Sequence, residues 1–398
     1  MRVSGVLLCF IVCSASSLQP PAARPVAGRR GRTALGVSPI EGALASGSAD
    51  RVVAALEEDE DETALGRGLA AACLDKACAV EAASDGQSGA TALASEEDRL
   101  LRCYAALRER GLCGRFGAGI LEPWPVTRRV VTPEFIAART GNLTLASFAP
   151  TEAVGPLWWV LGSILSVGEI LLSKALGLES PQPLFLATAG LVALDQIALR
   201  GAGSEAVVAT VSPDFDERVV RHEAGHVLLA YLLGCPVQGC CLSAREALLG
   251  ADRPAALNGA AGTAFFDPDL NAAARRGEVR RGVLDRYCII VMGGIAAEAM
   301  VYGDAQGGRD DESALIQFLQ QTVGGFTASN RGEDPAQLVA NQARWAALNA
   351  LLLLRKYRPE YERLVEALVQ TRAASIGTVM LAIDSDDAAA PTAVARPA

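Results

Sequence analysis

The stretch that decides the fold is Arg221-His222-Glu223-Ala224-Gly225-His226, which continues into an apolar run over residues 227–233. Residues four apart lie on one face of an α-helix, so His222 and His226 can present their imidazoles to a single point. Neutral imidazole is a good zinc ligand, and a helix holds both donors without loop flexibility. Glu223 lies off the line of the two histidines, where it can act on a water held by the metal, as in the HExxH signature. The stretch therefore predicts a zinc site on a helix, with Glu223 as the catalytic residue.

The histidine count strengthens this prediction. The chain of 398 residues has only two histidines, and both lie in this motif. Two alternatives remain open: an ordinary buried helix whose His and Glu are capped by neighbours, and a degenerate metallopeptidase that keeps the motif without cleaving anything. Glu223 favours chemistry, because a purely structural metal site does not need it.

Charge and composition exclude several other functions. The net charge is −9 at pH 7, and no basic stripe is present that could release counterions from nucleic acid. No Gly-Lys dipeptide occurs, which excludes a P-loop of the form GxxxxGK(S/T) and ATP hydrolysis by that route. The ten cysteines are too few and too irregularly spaced for a disulfide scaffold in a chain of this length. We therefore expect neither nucleic acid nor ATP to bind.

Residues 1–40 are typical of a targeting leader. A single arginine, an apolar core over residues 6–13 and a run of small residues predict a signal peptide, whose core is too short to span a bilayer. The segment that follows carries arginines and no acid before Glu41, as transit peptides do. The two parts together resemble the leader of algae with complex plastids. They predict a plastid location, with the secretory pathway as the alternative.

Two regions separate this leader from the metal motif. Residues 41–150 are rich in Ala, Leu, Glu and Arg, and they predict a helical accessory region that is partly disordered. Residues 151–212 are hydrophobic and contain two apolar runs, each with one acid and each near the length that crosses a bilayer. The runs are residues 154–172 and 183–199, and their acids are Glu169 and Asp195. They predict a transmembrane hairpin or, because an intramembrane carboxylate is costly, a pair of buried helices.

Residues 213–384 form the predicted metal domain, and residues 385–398 a flexible tail. The metal helix is predicted from about Phe215 to Leu233, because Gly234 and a nearby proline end the pattern. Later helical patterns cover residues 284–302, 312–322, 335–357 and 359–383.

Between the metal helix and the helix predicted over residues 284–302, a short β-prone stretch begins with Gly262, Thr263 and Ala264 and has turn residues on both sides. This stretch predicts an edge strand beside the metal, able to bind an extended peptide by strand addition. The predicted fold class is therefore mainly α, with a short β edge.

A catalytic zinc usually takes three protein ligands and leaves the fourth position to water. No histidine remains, so the third ligand must be Asp, Glu or Cys. Glu298 lies in the middle of a predicted helix, whereas Asp310-Asp311-Glu312 lies at the start of the next one, where a carboxylate is well placed. The residues alone leave Glu298 and this acidic triplet as candidates.

Three motifs resemble the peptidase domain of the FtsH family, whose members are zinc endopeptidases of membranes. They are His222–His226, the stretch from Gly293-Gly294 through Glu298 to Gly303, and a later Gly-rich turn that ends in Asp. The resemblance covers residues 213–383 and implies a helical, zincin-like fold. It implies that Asp311 completes the metal site and that Asp310 is its competitor. Glu298 then orients one of the metal ligands without binding the metal, or is itself an alternative ligand.

Two features depart from the family's pattern. Ala299 stands where the family has a second Glu, and the ATPase module is absent. The closer likeness is to the ATPase-less FtsH-like proteins of plant and algal plastids, which the chain resembles around Gly262-Thr263-Ala264-Phe265 and in two later segments. Those segments are Gly307-Gly308-Arg309-Asp310-Asp311-Glu312 and Asn341-Gln342-Ala343-Arg344-Trp345.

Taken together, the residues and the resemblance predict a zinc-dependent, ATP-independent endopeptidase of a plastid membrane. Its substrate is a protein or peptide that is loose or already unfolded, because no motor is present to unfold it. The alternatives are a catalytically inactive FtsH-like scaffold and a partner subunit of an ATPase-bearing membrane protease. A homo-oligomer is a further expectation, and the resemblance gives no particular number of subunits.

Overall fold

The computed structural model describes residues 38–58, 65–78, 89–151, 155–199, 201–249, 257, 261–276, 279–326 and 334–385. Within these residues the protein has seventeen α-helices and one small three-stranded antiparallel sheet. The predicted mainly α class with a short β component is therefore confirmed. The chain forms two compact units, one that ends at Gly114 and one that begins at Arg115. Nearly all of the predicted leader and tail lie outside the described residues.

The unit that ends at Gly114 is a small group of packed helices. Its elements are α1 (Pro39–Ala45), α2 (Ala49–Glu58), α3 (Arg67–Ala77) and α4 (Gly89–Glu109). Helix α1 begins at a capping box in which Ser38 and Glu41 satisfy each other's backbone N–H groups. The side chains of Leu56, Leu74 and Leu107 are buried between the helices, where each contributes about 1.5–3 kcal/mol.

The unit that begins at Arg115 contains the predicted metal motif. Two 3₁₀ turns, Ala118–Ile120 and Leu145–Phe148, lie near its start. The remaining elements are α5 (Pro133–Thr140), α6 (Gly155–Ala175), α7 (Gln182–Ile197), α8 (Ala202–Val211), α9 (Phe215–Leu232), β1 (Val237–Cys241), α10 (Ala244–Leu249), β2 (Gly262–Phe265), α11 (Pro268–Arg276), α12 (Arg281–Val291), α13 (Gly293–Tyr302), α14 (Arg309–Phe326), α15 (Pro335–Lys356), α16 (Arg358–Thr371), β3 (Ala373–Ala374) and α17 (Ile376–Ile383).

Helix α9 is the centre of this unit. Its residues from His222 to Leu232 are all buried, and α12, α13, α15 and α16 pack around it. The contact with α13 is very close: a Cβ added to Gly225 would lie 2.4 Å from the carbonyl oxygen of Gly293. Only glycine at position 225 allows this approach. The turn of α9 that carries the two histidines is therefore pressed against α13.

The sheet has the strand order β2-β1-β3, so β2 is an edge strand, as predicted. The antiparallel register places Cys240 of β1 opposite Thr263 of β2 and opposite Ala374 of β3. Both β1 and β2 contact α9. The edge strand therefore lies against the helix that carries the metal motif.

Two of the predicted helices are interrupted. The pattern over residues 284–302 forms α12 and α13 with a break at Met292, and the pattern over residues 359–383 forms α16 and α17 with β3 between them. The second break follows from Arg372, whose left-handed backbone (φ 60°) ends α16 and turns the chain so that Ala373–Ala374 pairs with β1. That pairing is a long-range contact, which helical periodicity cannot reveal.

The two hydrophobic runs form α6 and α7, which pack against each other as a helical hairpin. Many of their large apolar side chains are exposed, among them Trp159 at 82% and Leu186 at 73%, and α7 buries no residue. Among the described helices none is long and apolar enough to cross a bilayer alone, whereas α7 and α8 together meet that test as a pair bent by 100°. The transmembrane hairpin stays a prediction.

Candidate metal centre

His222 and His226 lie one turn apart on α9 and bring their Nε2 atoms to 3.1 Å from each other. Nδ1 of His226 donates to the carbonyl oxygen of Ile290 at 2.9 Å. Nδ1 of His222 lies 2.8 Å from Oε1 of Glu298. A carbonyl and an ionised carboxylate can only accept, so each Nδ1 carries a hydrogen and each neutral ring presents a lone pair on Nε2. The two buried lone pairs converge.

Asp311 brings a carboxylate to the same point from the first turn of α14. Its Oδ2 lies 2.9 Å from Nε2 of His222 and 3.5 Å from Nε2 of His226. The other carboxylate oxygen, Oδ1, is buried without a hydrogen-bond partner. The neighbouring Asp310 is exposed. The structure therefore brings Asp311, and not Asp310, to the two histidines.

This donor set fits a metal ion. One ligand atom from each of His222, His226 and Asp311 lies within 4.8 Å of the other two. Ligand atoms about 2.0–2.2 Å from a tetrahedral zinc lie about 3.3 Å from one another, close to the separations of 2.9, 3.1 and 3.5 Å found here. Two imidazole lone pairs that face each other beside a carboxylate favour a cation among them. The group could therefore bind a metal ion.

The pKa values of His222 and Asp311 reflect the same preference for positive charge. Burial alone would lower the pKa of His222, but hydrogen bonds to Asp311 and Glu298 outweigh burial and raise it well above its usual value. Burial alone would raise the pKa of Asp311, but the charges and hydrogen bonds of His226 and His222 hold it far below its usual range. The hydrogen bond between His222 and Asp311 contributes to both shifts.

Glu298 holds His222 from its Nδ1 side. Its carboxylate also accepts hydrogen bonds from the backbone N–H groups of Gln306 at 2.9 Å and Gly307 at 3.1 Å, and it lies 3.3 Å from the guanidinium of Arg218. Burial opposes its charge, but the hydrogen bond with His222 outweighs burial and lowers the pKa of Glu298. A carboxylate in this position fixes the tautomer and orientation of a histidine ligand. Glu298 is not in the converging group.

Glu223 is buried on α9, and its Oε2 accepts a hydrogen bond of 2.8 Å from the hydroxyl of Thr263. Thr263, Gly262 and Ala264, which were predicted to bind substrate, together form most of β2. All three are buried and pair with β1. The strand predicted to hold a peptide thus contacts the predicted general base directly.

Glycines enclose His222. A Cβ added to Gly294 would lie 2.2 Å from Nε2 of His222, and one added to Gly308 would lie 3.0 Å from its Cε1. The only signal of these contacts in the sequence is the two Gly-Gly pairs at 293–294 and 307–308. They indicate close packing but do not show that His222 is the residue packed against them. The ring of His222 is therefore held by backbone on sides where no side chain fits.

No family model and no curated protein matches this chain. The fold and the site define a mainly helical protein with a buried group of His222, His226 and Asp311 that could hold a metal ion.

Proposed function

We propose that the protein is a zinc-dependent, ATP-independent endopeptidase with an FtsH-type site. The observation that carries this proposal is the convergence of His222, His226 and Asp311 on one point, with Glu223 next to the first ligand. Two imidazoles and one carboxylate are a ligand set of catalytic zinc, which keeps a further position for water or substrate. Magnesium and calcium prefer oxygen ligands throughout, so zinc suits this set better.

Each residue of the site then has a part in peptide hydrolysis. His222, His226 and Asp311 would hold the zinc ion, whose Lewis acidity would lower the pKa of a water and polarise the scissile carbonyl. Glu223 takes the proton of the attacking water and passes it to the leaving amine. Glu298 keeps His222 in the tautomer whose Nε2 is free to bind a metal. Strand β2 holds the substrate in an extended conformation through main-chain hydrogen bonds.

The proposed class of substrate follows from the lack of a P-loop in this sequence. The sequence contains no P-loop, so this chain does not use one to unfold its substrates. Strand addition also needs a peptide that is already extended. We therefore propose loose or unfolded protein segments as substrates, supplied directly or by a partner ATPase.

Metal content of the purified full chain tests the site. We expect about one zinc per chain in the wild type and in Asp310→Asn, and a loss of zinc in Asp311→Asn. Asp310→Asn is the matched control, because it removes an adjacent carboxylate with the same chemistry. A wild type without affinity for zinc, or equal loss in the two variants, would contradict the proposed ligand set.

Cleavage of an unfolded test protein such as casein tests the reaction. Glu223→Gln is expected to keep zinc and to lose cleavage, because the amide cannot take up the proton. If zinc-loaded Glu223→Gln cleaved as fast as the wild type, Glu223 would not be the general base.

A non-catalytic metal site is the second candidate, and burial is the observation that favours it. His222, Glu223 and Asp311 expose only 4%, 4% and 1% of their surface, and structural zinc sites are closed in this way. This second candidate would be favoured if the wild type binds zinc but cleaves nothing. Removal of zinc by a chelator should then destabilise the wild type and Glu223→Gln to the same extent. The protein would then be a scaffold, or a partner subunit of an ATPase-bearing protease.

We further propose that α6 and α7 attach the protein to a membrane, and that residues 1–40 direct it to a plastid. Exposed apolar side chains on both helices support attachment, and so does the pairing of their polar groups. Glu169 is buried and accepts a hydrogen bond from the hydroxyl of Thr188. The hydroxyls of Ser163 and Ser166 donate to backbone carbonyls of their own helix at 2.7 and 2.8 Å. Hydrocarbon requires such internal partners, because no water is present to replace them.

Flotation of the full chain with lipid vesicles tests the attachment. The wild type is expected to float with the vesicles, whereas a variant that combines Trp159→Glu with Leu186→Glu is expected to stay in the aqueous fraction, because both side chains are exposed. Absence of flotation in the wild type, or equal flotation of the variant, would contradict attachment through this hairpin.

A further inference from the structure

The side chain of Thr263 faces α9, whereas its backbone belongs to the edge of the sheet. In the register of the sheet it stands opposite Cys240, and residues paired in this way project to the same face. That face meets α9, because the hydroxyl of Thr263 reaches the carboxylate of Glu223. The backbone of Thr263 meanwhile belongs to edge strand β2. One residue therefore contributes both to the strand edge and to the environment of Glu223.

The hydroxyl of Thr263 has two neighbours and a single hydrogen to donate. It lies 2.8 Å from Oε2 of Glu223 and 3.5 Å from Sγ of Cys240. A hydrogen bond to a carboxylate is about twice as strong as one to a neutral acceptor. The thiol is neutral, because burial and then the nearby carboxylate of Glu223 raise the pKa of Cys240 well above its usual value. The hydrogen of Thr263 is therefore given to Glu223.

Burial makes this bond important. Thr263 exposes 1% of its surface and Glu223 exposes 4%, so little water is available to replace the hydroxyl. A buried carboxylate that loses a donor is destabilised and free to leave its rotamer. Among the described residues, the structure shows no second side chain that donates to Glu223.

We propose that Thr263 is a positioning residue that fixes the carboxylate of Glu223 through Oε2 and leaves Oε1 to take up the proton. This assignment rests on the proposed peptidase function and adds a role for the side chain of β2, beyond the role of its backbone in holding a peptide. Thr263 does not itself touch the reacting atoms. It acts through Glu223.

A double-mutant cycle in the full chain tests the hydrogen bond without any need for activity. Thr263→Val removes the hydroxyl and keeps the size of the side chain. We expect it to lower the urea midpoint of unfolding in the wild-type background. In a Glu223→Ala background the hydroxyl keeps only the weak acceptor Cys240, so we expect the midpoint to stay unchanged or to rise. Thr140→Val is the matched control, because the hydroxyl of Thr140 is buried and donates to its own helix at Ile136.

The control should shift the midpoint equally in both backgrounds. An equal shift from Thr263→Val in both backgrounds would mean that Thr263 only packs or only favours the strand, and it would overturn the proposal.

Kinetics of the zinc-loaded protein test the positioning. Thr263→Val is expected to keep zinc and to lower kcat on the order of 10-fold with KM unchanged, and Thr263→Ser to restore most of kcat. A raised KM with unchanged kcat would assign Thr263 to substrate binding alone and overturn the positioning role. If the wild type cleaves nothing, the proposed function fails, and the stability cycle still decides whether Thr263 fixes Glu223.

Discussion

Replacing Gly294 with alanine should weaken binding of the proposed zinc without replacing any of its ligands. The new Cβ would lie 2.2 Å from Nε2 of His222, 2.4 Å from its Cδ2 and 2.5 Å from its Cε1. An ordinary contact begins at 3.4 Å, so the ring has to retreat by the difference between 3.4 and 2.2 Å, about 1.2 Å. That distance is more than half of a zinc–nitrogen bond of about 2.0–2.1 Å.

The expected loss of zinc affinity from Gly294→Ala is large, on the order of 100-fold or more, because changes that only disturb the support of a ligand already cost about 10- to 100-fold. The change in stability is smaller. Overpacking costs about 1–3 kcal/mol, whereas alanine in place of glycine in a helix returns about 1 kcal/mol. Zinc affinity, measured by competition with a chromophoric chelator, is therefore the more decisive observation.

Gly282→Ala is the matched control for this experiment. Gly282 lies in the first turn of α12, and a Cβ added there would meet nothing within 4 Å. The control should keep zinc affinity and gain about 0.4–1 kcal/mol of stability. Wild-type zinc affinity in Gly294→Ala would refute the argument that the packing of α13 against α9 fixes the His222 ring where it can bind a metal.

Buried charges give two more expectations, both measured by urea unfolding. In the metal-free protein, His222 has a raised folded pKa, so its contribution is complete below the unfolded value of 6.5 and is lost as the pH rises through the folded value. Asp311 has a lowered folded pKa, so its contribution is present above the unfolded value of 3.8 and is lost as the pH falls. The unfolding free energy should therefore decline below the unfolded value of 3.8 and above the unfolded value of 6.5. If His222→Asn had the same pH profile as the wild type, His222 would not be the source of the decline at high pH. Arg129→Met should lower the unfolding free energy by about 2 kcal/mol, because it removes the closest charged partner of the Asp285 carboxylate, now bonded at 2.6 and 2.7 Å. The carboxylate keeps a more distant ion pair with Arg281 at 3.9 Å and a hydrogen bond from Gln342 at 2.9 Å. The loss is smaller than for a fully buried pair, since Arg129 is 37% exposed. Adding Asp285→Asn should recover part of it, and a loss under about 0.5 kcal/mol would show that the pair is not important for stability.

Local geometry explains what could be predicted from the sequence. The spacing of His222 and His226 on a helix is enough to bring their rings together, because helical geometry fixes it. The glycine and proline after the metal helix predicted its end at residue 233, and α9 ends at Leu232. The strand at residues 262–265 was also predictable, because turn residues bound it on both sides.

Long-range contacts explain what could not be predicted. Asp311 lies 89 positions after His222, and the residues alone left several acids as candidates for the third ligand. The period of two along a strand places Thr263 on the face opposite to Gly262 and Ala264, but it does not say which face meets α9. The pairing of Ala373–Ala374 with β1 after the break at Arg372 is likewise a long-range contact that no local pattern encodes.

The metal centre and the residues around it are arranged at a cost to the stability of the metal-free protein. Oδ1 of Asp311 is buried without a partner, which costs about 1–3 kcal/mol, and Nε2 of His222 lies only 3.1 Å from Nε2 of His226, so that two neutral rings would oppose their lone pairs there. Glycines at 225 and 294 hold this arrangement closed where alanine would favour the helices locally. A sequence that maximised stability alone would relieve both costs. Because a bound cation offsets the first cost and turns the second into ligation, the arrangement is more economically explained by metal binding than by packing.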